Sequence, residues 1–346
     1  MDATEDAASR RSGAARRPRS PFCWKLFILA SAAVSLLAAA AAPTALAQLA
    51  PVDPASPNAA EIRDSYLFVS IFVVAIFVIV ESVLIAFAWK YRRQRRERFE
   101  DGVQIHGSTR LELIWTAAPV VVLIAIAISV FVEIPEITNV PAAGASGQLE
   151  VRVTGRQFYW QYEYPNGVIA IDRLRAPEGV TVRLEVTAPD DDVVHSWWIP
   201  ALGGKLDAIP GRSNDTWFEA TETGVFRGQC AELCGVEHAK MLAEVEVLPE
   251  DEFDAWLEER DAAQAEGTSE LGAELWQGVC AKCHGLAGEG GIARAIAGSA
   301  ILSDAAQVED IVRNGRRTMP AVGSGWSEEQ MDALTTYLRE TPPSGG

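Results

Sequence analysis

One short run of residues carries the side chains best suited to bind a metal. It contains two cysteines, a histidine and a methionine at spacings of four, four and three residues, with a further histidine 35 residues upstream: Cys230, Cys234, His238, Met241 and His195. Sulfur ligands combined with imidazole favour copper over hard cations such as magnesium or calcium. The run therefore predicts a copper site.

The second thiolate determines what kind of copper site is expected. A mononuclear blue-copper site uses one cysteine, two histidines and a weak methionine. With Cys230 and Cys234 both present, two sulfurs can bridge two copper ions, and each copper keeps one histidine and one weak axial ligand. Bridging thiolates share the odd electron between both metals, which lowers the reorganisation that accompanies electron transfer. A zinc site would leave Met241 unexplained, and a Cys230–Cys234 disulfide is the other alternative.

A second motif, Cys280-Ala-Lys-Cys283-His284, has the spacing used to attach a haem covalently. Its two thiols would bond the haem vinyl groups and the imidazole would be the proximal axial ligand. Met319 follows 35 residues later in a loop that resembles the sixth-ligand loop of class I cytochromes c. Met331 is the rival ligand, but it belongs to an apolar helical repeat and is expected in the core. A zinc-binding cysteine pair is the alternative for the motif.

The residues on both sides of the copper run predict strands. Apolar and polar residues alternate around Leu149–Val153 and Val180–Val186, and further short strands are expected at 216–221, 225–229 and 242–248. Turn-forming residues separate them, as in Pro165-Asn-Gly167. Short strands at this spacing favour a β-sandwich or barrel.

Two segments are apolar and long enough to span a membrane, at about 66–89 and 113–133. The loop Lys90–Arg98 between them carries six basic residues, so the positive-inside rule places it in the cytoplasm and both ends of the hairpin outside. Residues 1–47 have the basic, apolar and small-residue order of a secretory signal peptide. These features predict a bacterial inner-membrane protein whose metal-binding modules are periplasmic.

The 346 residues and the charge distribution indicate several modules. Residues 134–346 carry 16 Lys and Arg against 35 Asp and Glu, although the mean hydropathy of the chain is +0.07. This acidic portion argues against nucleic-acid binding and favours basic protein partners. The predicted boundaries are a signal peptide at 1–47, a transmembrane hairpin at 48–135, a β domain at 136–249, a linker helix at 250–266 and a haem module at 267–346.

The copper run resembles the binuclear CuA loop of cytochrome c oxidase subunit II. Further stretches match the same family: Asp192–Pro200, Ala208–Arg212, Gly155–Tyr164 and Glu112–Thr116. The resemblance covers roughly residues 60–250. Together with the fused class I cytochrome c it indicates the caa type, which implies a two-helix membrane hairpin, a cupredoxin-like sandwich and an all-α cytochrome c domain.

The resemblance also implies roles for individual residues. His195, Cys230, the Glu232 carbonyl, Cys234, His238 and Met241 would bind CuA, and the Glu232 side chain would reach a magnesium or manganese ion shared with subunit I. Glu112 resembles the carboxylate at the mouth of a proton pathway. Trp160 is an electron-path candidate. Phe158 stands where the family often has an exposed tryptophan that receives electrons from soluble cytochrome c, so this departure puts that docking route in question.

The resulting functional prediction is the electron-input subunit of a proton-translocating cytochrome c oxidase. Electrons would pass from haem c through CuA to haem a of subunit I, with cytochrome c or a cytochrome bc complex as the donor. The expected partners are subunit I and other membrane subunits, without nucleic acid. The alternatives are the CuA subunit of a nitric oxide reductase and a non-catalytic copper-binding assembly protein.

Overall fold

A computed structural model describes residues 51–91, 104, 107–142, 147–266 and 269–344. The expected signal peptide and most of the basic loop lie outside these residues. Residues 51–69 and 108–344 belong to one compact unit, whereas the described residues between Ser70 and Gly107 belong to another.

Among the described residues, the first elements are two long apolar helices, α1 (Pro57–Tyr91) and α2 (Thr109–Thr138). Both are long and apolar enough to cross a membrane, and they extend beyond the predicted spans at both ends. The start of α1 is tied to the β domain, because Asn58 Nδ2 donates to the Trp217 carbonyl at 2.6 Å. The end of α2 is tied to the same residue, since Trp217 Nε1 donates to the Ile137 carbonyl at 3.1 Å.

Within residues 147–266, ten strands form a β-sandwich. A five-stranded sheet has the order β3-β2-β1-β5-β8, a three-stranded sheet has the order β4-β10-β9, and β6 pairs with β7. The β1–β5 and β4–β10 pairs are parallel and the other pairs are antiparallel. The strands are β1 (Gln148–Arg156), β2 (Tyr159–Glu163), β3 (Ile169–Ile171), β4 (Arg173–Pro177), β5 (Thr181–Thr187), β6 (His195–Trp197), β7 (Leu206–Ala208), β8 (Asn214–Glu219), β9 (Gly224–Gln229) and β10 (Leu242–Leu248).

The sandwich core comes from the alternating pattern seen in the sequence. On β5, Val182, Leu184 and Val186 are fully buried, and the residues between them are partly exposed. Trp160 and Leu174 join them in the same cluster. Because successive side chains of a strand point to opposite faces, β5 presents one apolar row to the interior.

The C-terminal residues are helical. The helices are α3 (Glu250–Ala265), α4 (Ser269–Leu275), a π-helical turn (Trp276–Cys280), α5 (Ala281–His284), α6 (Ala305–Asn314) and α7 (Glu328–Glu340). Helices α4 and α7 cross closely at Gly272, where a Cβ would lie 2.1 Å from the Ala333 carbonyl oxygen. Only glycine allows this approach. A capping box between Ser327 and Gln330 begins α7.

Helix α3, expected as a charged linker, packs at both of its ends. Phe253 and Trp256 contact Tyr164 of the β domain. Arg260 is buried and donates to Glu274 of α4 at 2.7 Å. Burial raises the pKa of Glu274, and the positive charge of Arg260 opposes that shift. The helix therefore connects the two modules through packing as well as through the chain.

The helical module also packs directly on the β domain. Tyr159, Ile169 and Ile171 of β2 and β3 belong to the same buried cluster as Leu275 and Trp276 of the helical module. The apolar core of the helical module therefore continues onto the outer face of the sheet.

Candidate metal centres

Strands of the sandwich position the predicted copper ligands. His195 begins β6, Cys230 follows β9 and Met241 precedes β10. The antiparallel β9–β10 ladder ends at Gln229 opposite Leu242, and the Cys230 N–H donates to the Met241 carbonyl at 2.9 Å. The ladder therefore closes the base of the loop that carries the other ligands.

The sulfur atoms converge in this loop. The Sγ atom of Cys234 lies 4.0 Å from the Sγ atom of Cys230, 3.8 Å from Sδ of Met241 and 3.6 Å from Nδ1 of His238. Ligand atoms of His195, Cys230 and Cys234 all lie within 4.8 Å of one another. Both thiols are free, at a separation about twice the length of a disulfide bond.

The histidine from β6 is oriented for ligation. Nε2 of His195 lies 3.1 Å from Oδ1 of Asp192, whose other oxygen accepts the Gln157 N–H at 3.1 Å. Nδ1 of His195 is buried and has no hydrogen-bond partner among the described residues. A buried imidazole that is fixed through one nitrogen and unpaired at the other is the usual arrangement of a metal ligand. The residues present therefore fit a copper pair.

Electrostatics within the cluster favour one thiolate. Contact with the Cys234 thiol, and then with the nearby His195 ring, lowers the pKa of Cys230. The same contact with Cys230, together with burial, raises the pKa of Cys234. Burial lowers the pKa of His195, but the hydrogen bond with Asp192 and the negative charge of Cys230 outweigh it, so the pKa is raised. One thiol therefore loses its proton more easily than the other, and binding of a cation would require both thiols to be deprotonated.

The other predicted residues around this site are placed as follows. The Glu232 carbonyl lies 3.2 Å from Sγ of Cys230, whereas the Glu232 side chain is exposed. Trp160 is fully buried and makes an edge contact with the His195 ring. Phe158 is only 9 % exposed, unlike the exposed aromatic residue that the resemblance places here. Glu112, in the first turn of α2, accepts the Ser108 N–H at 3.3 Å.

The haem-attachment motif lies on the π-helical turn and α5. Burial raises the pKa of the Cys280 thiol to about 12. Nδ1 of His284 lies 2.9 Å from the Arg294 carbonyl oxygen, so the other ring nitrogen is the one presented for ligation. Met319 ends a tight turn. Its N–H donates to the Arg316 carbonyl at 3.0 Å, and its carbonyl accepts the Arg316 N–H at 3.1 Å. Met331 lies in the buried core, as its helical repeat predicts.

Sequence reasoning assigned no role to several polar residues near these sites. Asp192 orients His195. The Asp-x-x-His spacing of these two residues is a sequence feature that could have indicated this hydrogen bond. Asp172 binds Lys282 at 2.5 Å and Gln157 binds the Cys234 carbonyl at 2.6 Å. The partners in each of these last two pairs are more than 70 residues apart, so no local pattern indicates them.

Family models match three parts of the chain. Residues 44–132 match the transmembrane domain of cytochrome c oxidase subunit II, and residues 168–248 match the periplasmic domain of the same subunit. Residues 267–338 match subunit III of the cbb3-type cytochrome c oxidase. The third match covers the segment with the haem-attachment motif.

Relatives match over most of their length. Cytochrome c oxidase subunit 2 of Alkalihalophilus pseudofirmus is 35 % identical over 319 residues, which cover 84 % of this chain and 90 % of that protein. The subunit of Bacillus sp. strain PS3 is 30 % identical over 72 % of this chain and 79 % of that protein. The solved periplasmic domain of subunit II from Bradyrhizobium japonicum is 37 % identical over 36 % of this chain and 97 % of that chain, with a TM-score of 0.33.

Fold and site define a membrane-anchored, cupredoxin-like metal-binding subunit fused to a cytochrome c domain. The chain belongs to the cytochrome c oxidase subunit 2 family. Membership implies CuA in the β domain, haem in the helical domain and assembly with subunit I of a haem–copper oxidase.

Proposed function

We propose that this chain is the electron-input subunit of its oxidase and passes electrons from haem c through CuA to haem a of subunit I. The reaction served is the reduction of oxygen to water coupled to proton translocation. One observation supports this most directly: the two thiols, two imidazoles and thioether predicted from sequence converge at one site, in a chain that also carries a haem-attachment motif.

The proposed roles of the residues follow from their chemistry. A bound haem and copper pair would supply one-electron redox chemistry, and the residues of this chain would hold both groups. Cys230 and Cys234 would bridge the coppers, and the other ligands would be His195, His238, Met241 and the Glu232 carbonyl. Cys280 and Cys283 would hold the haem by thioether bonds, with His284 and Met319 as axial ligands.

Several finer roles belong to the same proposal. The exposed Glu232 carboxylate would bind a magnesium or manganese ion at the boundary with subunit I, and Glu112 would serve proton uptake. Trp160, which contacts His195, would lie on the path out of the copper site. The copper and haem modules would be periplasmic on a bacterial inner membrane, with cytochrome c or a cytochrome bc complex as the donor.

The test is turnover of the native complex, isolated through a tag on this chain and supplied with an artificial reductant. Oxygen and nitric oxide consumption are recorded in parallel. We expect cyanide-sensitive oxygen uptake. Nitric oxide consumption without oxygen uptake would assign the subunit to a reductase instead. The absence of both activities would support an assembly role.

A further inference from the structure

Lys282 lies between the two cysteines of the haem-attachment motif, yet its side chain binds the β domain. Its Nζ donates to Oδ2 of Asp172 at 2.5 Å and to the carbonyl oxygen of Phe158 at 2.8 Å. Only 14 % of the Lys282 side chain is exposed. A mostly buried ammonium that gives two of its three hydrogens to fixed acceptors is held in one place.

The acceptor Asp172 is itself rigidly placed. It occupies the turn between β3 and β4 with a φ of +61°, a conformation that Asp and Asn tolerate better than most residues. Its Oδ1 accepts the Trp160 N–H at 2.9 Å, and its own N–H donates to the Trp160 carbonyl at 2.8 Å. Burial raises the pKa of Asp172, and the positive charge and hydrogen bond of Lys282 oppose that shift.

The Phe158 carbonyl, the second acceptor of Lys282, belongs to a segment that contacts the copper loop. Phe158 follows Gln157, whose Nε2 donates to the Cys234 carbonyl at 2.6 Å and whose N–H donates to Asp192. Covalent bonds and two hydrogen bonds therefore connect Lys282 of the haem motif with Cys234 of the copper loop. Tunnelling decays less steeply through bonded and hydrogen-bonded atoms than across a gap, so this connection is a favourable electronic contact.

Two further contacts fix the same interface. Lys240, between His238 and Met241, donates to the Lys282 carbonyl at 3.3 Å and pairs with Glu237 at 2.9 Å. Gly278, two residues before Cys280, packs so closely on the β domain that a Cβ there would lie 2.5 Å from Cγ2 of Ile171. The haem-attachment segment and the copper loop thus touch each other directly.

We propose that Lys282 is a positioning residue that seats the haem-attachment segment on the copper domain through Asp172 and the Phe158 carbonyl. This contact maintains the covalent and hydrogen-bonded connection from Lys282 through Phe158 and Gln157 to Cys234. This inference rests on the proposed electron-input function and adds the residues that set the geometry of the internal transfer step.

The test uses the full chain in its native complex, with the variants Lys282→Met and Asp172→Asn. Lys205→Met is the matched control, because Lys205 is an exposed lysine of the β domain. A photoreducible ruthenium complex supplies one electron to haem c, and absorbance follows its passage to copper. We expect both variants to slow this passage several-fold relative to wild type and to Lys205→Met, because loss of either partner breaks the hydrogen-bonded connection between the haem-attachment segment and the copper domain.

A second measurement reports geometry without turnover. Oxidised haem c shortens the spin relaxation time of CuA in a distance-dependent way, and this enhancement is expected to fall in both variants and to stay at the wild-type value in Lys205→Met. Covalent haem content and the copper spectrum should remain unchanged. The double variant should be no slower than either single variant, because the two residues act through one contact.

Transfer within about twofold of wild type in both variants, with unchanged relaxation enhancement, would overturn the inference. If Lys282→Met impairs haem attachment, the inference is judged on Asp172→Asn alone. Residue 172 lies outside the haem-attachment motif, and asparagine tolerates the positive φ at that position. Failure of the proposed function looks different: the wild-type complex itself would then lack the copper signal or pass no electron to copper.

Discussion

The copper loop and the haem-attachment segment hold their ligands in different ways. In the copper loop Cys230, Cys234 and Met241 are buried. The sulfur atoms of Cys230 and Met241 lie 4.0 Å and 3.8 Å from Sγ of Cys234. In the haem segment Cys280, Cys283, His284 and Met319 are all partly exposed, on a π-helical turn, a one-turn helix and a separate loop.

The difference follows from the scaffold. A β-ladder closes the base of the copper loop, and Asp192 fixes His195, so the chain organises this site by itself. In the helical module the predicted haem ligands come from three separate segments, so a bound haem would itself join them. The copper ligands should therefore be largely in place before copper binds. The haem ligands should reach their final arrangement only when haem is covalently attached.

Replacing Cys230 with Ser should have the largest effect on this comparison. One bridging thiolate is lost, so the mixed-valence copper signal in electron paramagnetic resonance should disappear. Covalent haem content should stay at the wild-type level, because the two sites form independently. A retained copper signal would contradict the bridging assignment, and a parallel loss of haem would contradict independence.

Met319→Ala tests the haem side. Loss of a thioether axial ligand should lower the haem c potential by on the order of 0.1 V, within the roughly 0.8 V that axial ligands span. Redox titration of the α-band measures this. Met331→Leu is the control, because Met331 is a core residue and the exchange nearly conserves volume. Equal shifts in both variants would show that Met319 is not the ligand.

Asp192→Asn sharpens the contrast in preorganisation. The variant weakens the hydrogen bond that orients His195, and loss of a hydrogen-bond partner of a metal ligand typically costs about 10- to 100-fold in metal affinity. Competition with a copper chelator measures the loss, and Asp191→Asn at the neighbouring exposed position is the control. No matching side-chain variant exists for His284, because its partner is the Arg294 backbone carbonyl.

The smallest effect concerns the scaffold itself. Burial would raise the pKa of Glu244, but hydrogen bonds from Arg227 and Arg173 outweigh it and lower the pKa. Its contribution to stability is therefore present above the usual pKa of a glutamate and is lost as pH falls through the lowered value. Glu244→Gln should cost about 1 kcal/mol at neutral pH, and the difference from wild type should vanish in acid.

Thermal loss of the copper absorbance at several pH values measures that cost, with the exposed Glu222→Gln as control. A destabilisation that stays constant down to low pH would mean that packing, rather than charge, accounts for the effect of Glu244.

The ligand types, the haem motif, the two apolar spans and the strand pattern can all be predicted from the sequence. Each depends on local spacing: sulfur and imidazole within twelve residues at Cys230–Met241, a five-residue haem motif, and alternation along single strands such as Thr181–Thr187. Met331 was assigned to the core for the same reason, and the structure places it there.

The contact between the two modules could not be predicted in this way, because it depends on tertiary packing. Lys282 and Asp172 are separated by 110 residues, and Gln157 and Cys234 by 77, so nothing in their neighbourhoods predicts either contact. The burial of Phe158 and of Tyr159 beneath other parts of the chain was equally beyond the sequence pattern. Long-range pairs form because folding packs distant surfaces together, and that packing depends on the whole chain rather than on any one segment.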